Sequence, residues 1–175
     1  MKKVFIVLAL FSFISLPSFA YDQEDLSRFL ETKECTGGTF SSCNLEGATL
    51  RNLNLSNANL NGASLRDAVL ENIVFTGANL DSTDFSGASL KYIDFRGSIL
   101  TEAVFDNSKM FFVDMTASDL RDSSFQGAKL IGVYLKGARC DDINLKNANN
   151  KLVDFSGATG INKNACTKYS FGRCK

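Results

Sequence analysis

The side chains that could do chemistry in this sequence are few. It has five cysteines, no histidine, and a column of carboxylates twenty residues apart at Glu102, Asp122 and Asp142, with Asp141 beside the last. Without histidine the commonest general base and metal ligand is missing. Stacked carboxylates could hold a hard cation such as Ca²⁺, or serve a hydrolase as surface acid and base. With Arg121 next door, a solvated acidic edge is the expected state. The sequence shows no phosphate-cradling glycine loop, no nucleophile elbow and no Cys-x-x-Cys pair. No catalytic residue, metal or cofactor is therefore expected.

Whatever the chain does must be carried by the element that positions its surfaces, and that element is a repeat. At every fifth residue from Phe40 to Phe155 there are 24 positions, of which 22 hold Leu, Phe or Met; Cys140 and Asn150 break the series. Five residues on an α-helix turn about 140° beyond a full circle, so this spacing makes no apolar face. A continuous strand fails too, because an odd spacing sends successive leucines to opposite sides. The backbone must turn within each unit. In most units a small residue precedes the large apolar one by two, as at Ala58 and Ala78, with Asn, Asp or Ser often between them. Gly recurs two positions after, as at Gly62 and Gly77, which suits corners of positive φ.

A longer period sets the number of sides. Oversized residues occupy the small position at Leu53, Ile73, Ile93, Val113, Val133 and Val153, each twenty from the next, with Ile143 as an extra. Identical roles stack vertically in a solenoid, so one coil is twenty residues and has four sides. Units such as Ala58-Asn59-Leu60-Asn61-Gly62 and Ala78-Asn79-Leu80-Asp81-Ser82 resemble pentapeptide repeats, A(N/D)LXX. The resemblance implies a right-handed quadrilateral β-helix. The predicted fold is thus an all-β solenoid of about six coils, roughly 29 Å tall at about 4.8 Å per coil, with an N-terminal capping helix and an irregular C-terminal cap.

Four segments follow. Residues 1–20 read as a signal peptide: Lys2 and Lys3, an apolar run from Val4 to Leu16, then Ser18-Phe19-Ala20 in the small-x-small cleavage pattern. Cleavage near Ala20 predicts a periplasmic or secreted protein with no stable membrane insertion. Residues 21–38 hold a short amphipathic helix, with Asp22 as N-cap and Leu26, Phe29 and Leu30 on one face, covering the first coil as terminal caps do. The repeat occupies 39–159 and the cap 160–175, where Ile161 and Phe171 are expected to fold back over the last coil. The run from Asp25 to Cys35 and the ending from Ala165 to Cys174 are similar to those of exported pentapeptide-repeat proteins, although Gly38 stands where such relatives commonly have a second cysteine.

Four cysteines outside Cys140 allow three pairings. A disulfide needs Cα atoms within about 7 Å, and the ends of the column are far further apart. Cys35 with Cys43 and Cys166 with Cys174 are the pairs expected, each stapling one end. Cys140 occupies an inward position and reads as a buried, unreactive thiol.

Reading by twenties also sorts the surface. One corner carries Asn52, Asn72, Tyr92, Phe112, Gly132 and Leu152; beside it run Arg51, Glu71, Lys91, Phe111, Ile131 and Lys151. Tyr92, Phe111, Phe112, Ile131, Tyr134 and Leu152 should form an apolar ridge, the expected surface for a protein partner or a second copy. The family's DNA mimics, which bind gyrase through a dense acidic surface, imply topoisomerase binding as the alternative. The whole chain has 19 basic and 19 acidic residues, and without Lys2 and Lys3 it has 17 against 19, a net of −2. That is a weak imitation of DNA, and the same mixing predicts no basic stripe for nucleic acid.

Overall fold

The computed structural model describes residues 23–32, 43–161 and 170–172. They form a four-sided parallel β-solenoid preceded by one helix. Isolated bridges join Asn44 to Ser64, Asn54 to Val74 and Asn59 to Asn79, and continue in steps of twenty along three sides. The fourth side holds the longer strands: β1 (Thr49–Arg51), β2 (Val69–Glu71), β3 (Ser89–Asp94), β4 (Lys109–Asp114), β5 (Lys129–Tyr134) and β6 (Asn149–Lys151), while β7 (Val153–Phe155) lies past the corner on the next side, where Asp154 pairs with Tyr134. Their register is again twenty, as in Leu50↔Leu70 and Leu90↔Met110.

Each corner has a local cause. Every fifth residue from Gly47 to Gly157 has a φ between +53° and +71°. At most corners the amide three residues past the large apolar residue donates to that residue's carbonyl, as Ala58 to Leu55 at 3.1 Å and Ala88 to Phe85 at 3.0 Å. This is the type II turn, which requires positive φ at its third residue. The Asn/Asp preference has its own reason. Asn54 Oδ1 accepts from the Ser56 amide at 3.0 Å and Asp84 Oδ1 from the Ser86 amide at 2.8 Å, an Asx turn that closes the next corner from the side.

The twenty-residue marker picks out the corner that differs. Where Leu53 and Ile73 replace the small residue, no such turn bond closes, and at the next three coils the strand runs on through the corner as β3, β4 and β5. A large side chain is accommodated there because the turn is open; Ile73, Ile93, Val113, Val133 and Val153 are all buried.

The core is made of stacked ladders. Phe75 and Phe95 stack at 5.2 Å, and Phe85, Phe105 and Phe125 stack at 4.8 and 4.7 Å. The two ladders meet edge to face, Phe95 lying 5.9 Å from Phe85 and 6.2 Å from Phe105. Both arrangements suit the ring quadrupole. At one end, helix α1 (Gln23–Thr32) puts Phe29 fully into this core while Leu30 stays exposed. Asp22 and the side chain of Leu26 lie outside the described residues.

Two expectations need correction. The ladder from Asn44 to Asn144 completes five turns, and the chain to Thr159 adds most of another, so the first and last rungs of a side are about 24 Å apart rather than 29 Å. The tail is also not wholly irregular. Strand β8 (Ser170–Gly172) pairs parallel with β7, Val153↔Ser170 and Asp154↔Phe171, a step of seventeen that extends the sheet after the repeat has ended. Ile161 is half-buried against the core.

Cys140 is buried, and burial pushes its thiol up to about 12. Cys43 is fully buried and disulfide-linked. Cys35, Cys166 and Cys174 lie outside the described residues, as do residues 1–20.

Candidate functional site

The corner between the β1–β6 side and the next face is where the aromatic residues gather. Tyr92, Phe112 and Leu152 all sit at its left-handed position, with φ of 56°, 53° and 56°. For a residue other than Gly, Asn or Asp this conformation costs roughly 1–2 kcal/mol, and the other non-glycine corners are held by Asn, Asp, Ser, Ala and Glu. Three bulky apolar side chains are therefore kept where the backbone disfavours them and where water reaches them: Tyr92 is 47 %, Phe112 42 % and Leu152 53 % exposed. Strain of this kind collects at functional positions.

The rings are mutually packed. Tyr92 and Phe112 stack at 5.9 Å with planes 8° apart. Phe111, from β4, packs edge-on against Phe112 at 4.6 Å and Tyr92 at 6.5 Å. Lys91 Nζ lies 5.0 Å from the Tyr92 ring centroid, a cation–π contact. Gly132 is buried beneath the ring above it: a Cβ there would come within 2.8 Å of Phe112 Cδ1. Glycine thus lets the Phe112 ring lie flat along the corner.

Not every residue of the expected ridge joins this cluster. Ile131 is half-buried and lines a groove with Phe111. Tyr134 is exposed at the far end of β5, where its backbone pairs with Asp114, and among the described residues no other ring packs on it. Leu152 is separated from Phe112 by Gly132, two rungs or roughly 10 Å along the stack. A compact aromatic trio with outlying apolar residues replaces the continuous ridge. Because Leu152 pays the left-handed cost with little burial in return, Leu152→Asn is expected to raise the unfolding free energy by about 1 kcal/mol, read by urea titration; a loss of stability would contradict the strain argument.

Sequence reasoning placed Arg51, Lys91 and Lys151 beside the trio but missed Lys109 and Lys129. The β1–β6 side carries Arg51, Lys91, Lys109, Lys129 and Lys151 against the carboxylate of Glu71. Glu71 pairs with Arg51 and Lys91, and Lys109 and Lys129 remain as a lysine pair on adjacent rungs. The twenty-residue spacing of Lys109 and Lys129 was the available signal.

Elsewhere several charges are paired. Arg96 donates to Asp94 at 2.6 and 2.9 Å, and Arg121 to Asp119 at 2.8 Å, with Arg139 also reaching Asp119 at 3.2 Å. The Arg96 and Arg121 hydrogen bonds hold Asp94 and Asp119 below the ordinary carboxylate range. A lowered native pKa means the unfolded chain binds more protons, so this stability is present above about pH 4 and is lost as pH falls through the native values. Urea midpoints should drop in acid, and the acid limb should be shallower in Arg96→Gln, Arg121→Gln; an unchanged limb would count against these pairs. Glu102, Asp122 and Asp142 occupy exposed left-handed corners, and no group of three or more metal-ligating side chains forms among the described residues. No described helix is long and apolar enough to cross a membrane.

A four-sided parallel solenoid with a corner turn every five residues defines the class, and the family model agrees. The family model for pentapeptide repeats matches in eight copies, over residues 39–80, 54–91, 78–114, 88–127 and 123–159. The chain belongs to the pentapeptide repeat family. Among solved structures it is similar to the pentapeptide repeat protein Rfr23 from the cyanobacterium Cyanothece 51142, at 20 % identity and TM-score 0.45, covering 85 % of this chain and 97 % of that one. It is also similar to one from the Arabidopsis thaliana thylakoid lumen, at 20 % identity and TM-score 0.41, covering 65 % and 66 %. QnrB1, a plasmid-mediated fluoroquinolone resistance protein, aligns at 17 % identity and TM-score 0.36, covering 71 % and 77 %. Among curated proteins none shows significant similarity.

Proposed function

We propose that this protein is a non-enzymatic, exported scaffold whose rigid column presents the aromatic corner to a protein partner or to a second copy. The observation that carries this reading is the trio itself: Tyr92 and Phe112 hold strained backbone and remain exposed, stacked on each other and buttressed by Phe111. Exposed aromatic clusters are the usual anchors of interfaces. The column supplies rigidity, since each rung is fixed by main-chain bonds to its neighbours.

Export is part of the proposal and rests on the pattern of Lys2, Lys3, the apolar run and Ser18-Phe19-Ala20. So are the end staples, Cys35 with Cys43 and Cys166 with Cys174. N-terminal sequencing of the fractionated protein should begin at Tyr21, and a non-reduced digest should yield those two linked peptides. The decisive comparison is association of the wild type with Phe111→Asp, Phe112→Asp, by light scattering and by capture of the bound partner. Association unaffected by the double substitution would sink the reading.

The alternative is topoisomerase binding by a DNA-like acidic surface, as the family resemblance implies. Such a surface needs carboxylates facing solvent unpaired; Glu71, Asp84, Asp94 and Asp119 are each engaged by Arg or Lys, which leaves Glu102, Asp122 and Asp142 at exposed corners as the carboxylates that would have to supply it. Supercoiling assays with the purified protein separate the two: inhibition at stoichiometric protein would favour the alternative.

A further inference from the structure

Next to the aromatic trio, the β1–β6 side holds a surface groove of about 190 Å³ lined by Lys91, Lys109, Phe111, Lys129 and Ile131, with Leu90 and Met110 at its floor. Its size limits its occupant. Small-molecule sites usually start near 300 Å³, whereas a cavity of about 150 Å³ already accepts a benzene ring. The groove therefore suits one aromatic or leucine-sized side chain.

Its charge limits the occupant further. Lys109 and Lys129 are register partners on adjacent rungs, both exposed, and like charges directly opposite each other destabilise a sheet. Neither makes an ion pair among the described residues, while Lys91 and Arg51 are both drawn to Glu71, at 3.3 and 3.1 Å. Two unpaired ammonium groups thus line one side of an apolar slot. A nucleic-acid strand gains its affinity from many phosphate contacts, about six to ten in a typical protein, and two available cations beside Glu71 are a poor match. They suit the carboxylates neighbouring a single anchoring side chain.

We propose that this groove binds an acidic linear segment of a partner protein, seating one aromatic or leucine side chain against Phe111 and Ile131 and pairing neighbouring carboxylates with Lys109 and Lys129. The inference rests on the reading of the aromatic corner as an interaction surface and names the chemistry of what docks there. Charge complementarity would set the rate and selectivity of docking, and the apolar anchor its persistence.

The test is fluorescence anisotropy of the purified protein with a labelled nine-residue glutamate peptide carrying one central phenylalanine. The comparison ligands are the same peptide with central alanine, a lysine version, and oligothymidine of equal length. Saturable binding of the phenylalanine peptide is expected, about tenfold tighter than the alanine peptide or oligothymidine. Lys109→Glu, Lys129→Glu should weaken it by at least about tenfold, the milder Lys109→Gln, Lys129→Gln by less, and Lys146→Glu, in a different register column, should leave it unchanged. No saturable binding, tighter binding of oligothymidine, or indifference to Lys109 and Lys129 would overturn the proposal. If the peptide fails while Phe111→Asp, Phe112→Asp still abolishes association, only this inference falls; if that variant is also silent, the corner reading falls with it.

Discussion

Phe105→Ala is expected to lower the unfolding free energy by about 3–5 kcal/mol. Phe105 is fully buried at the middle of the column, stacked on Phe85 and Phe125 and edge-on to Phe95. Removing it leaves a void between three rings that cannot collapse, because each is pinned to a backbone rung bonded above and below. Both the lost transfer free energy and the residual cavity count. The position should also affect cooperativity. In a solenoid each coil contacts only its neighbours, so stability is a chain of nearest-neighbour terms, and a weak link at the centre can let the two halves unfold separately. The predicted urea curve has a lower midpoint and a broadened or two-step transition. A destabilisation below about 1 kcal/mol would mean that the stacked phenylalanines are not the main support of the column.

Phe111→Asp, Phe112→Asp is expected to weaken association by roughly 30- to 1000-fold, the range for losing a hot spot of about 2–4 kcal/mol, while leaving the fold intact. The fold should survive because the terms oppose one another. Loss of the Tyr92–Phe112 stack and the edge contacts costs about 0.5–1.5 kcal/mol per ring pair, but aspartate tolerates the left-handed corner at 112 better than phenylalanine does, recovering about 1 kcal/mol. Both side chains are around 40 % exposed, at 39 % and 42 %, so little core area is lost. With three exposed ring pairs lost at the low end of that range, the net loss is about 0.5 kcal/mol, so circular dichroism should stay near wild type and the urea midpoint fall only slightly as binding collapses. A fall in stability of several kcal/mol would show instead that these rings serve the column rather than a partner.

How much of this was legible follows from what each feature depends on. The five-residue apolar series and the large residues at Leu53, Ile73 and Ile93 fix the four-sided coil because core side chains must stack every twenty residues, and burial writes itself into residue type. The wide corner at those residues was visible as a marker, but its meaning, an open turn through which β3 to β5 run on, needed the hydrogen bonds. Strand β8 left no trace in the sequence because it adds by main-chain pairing, which any residue type can supply, and with a step of seventeen. The aromatic corner was legible as a column, yet Tyr134 and Leu152 were grouped with it too freely; column membership does not say which rung is empty, and Gly132 is the gap. The lysine pair was missed because the column that holds Lys109 and Lys129 was not among those read out by twenties.

The central claim is that the corner at Phe112 is covered by a protein in the cell. Replacing Phe112 with photoreactive benzoylphenylalanine keeps an aromatic ring at the left-handed position, and the same replacement at Asp122, another exposed corner with φ of 59°, serves as control on a different edge of the column. Irradiation of cells should give a discrete higher-mass adduct from position 112, either with a second copy or with another protein, and none from position 122. Equal labelling from both positions, or none from 112, would contradict the account.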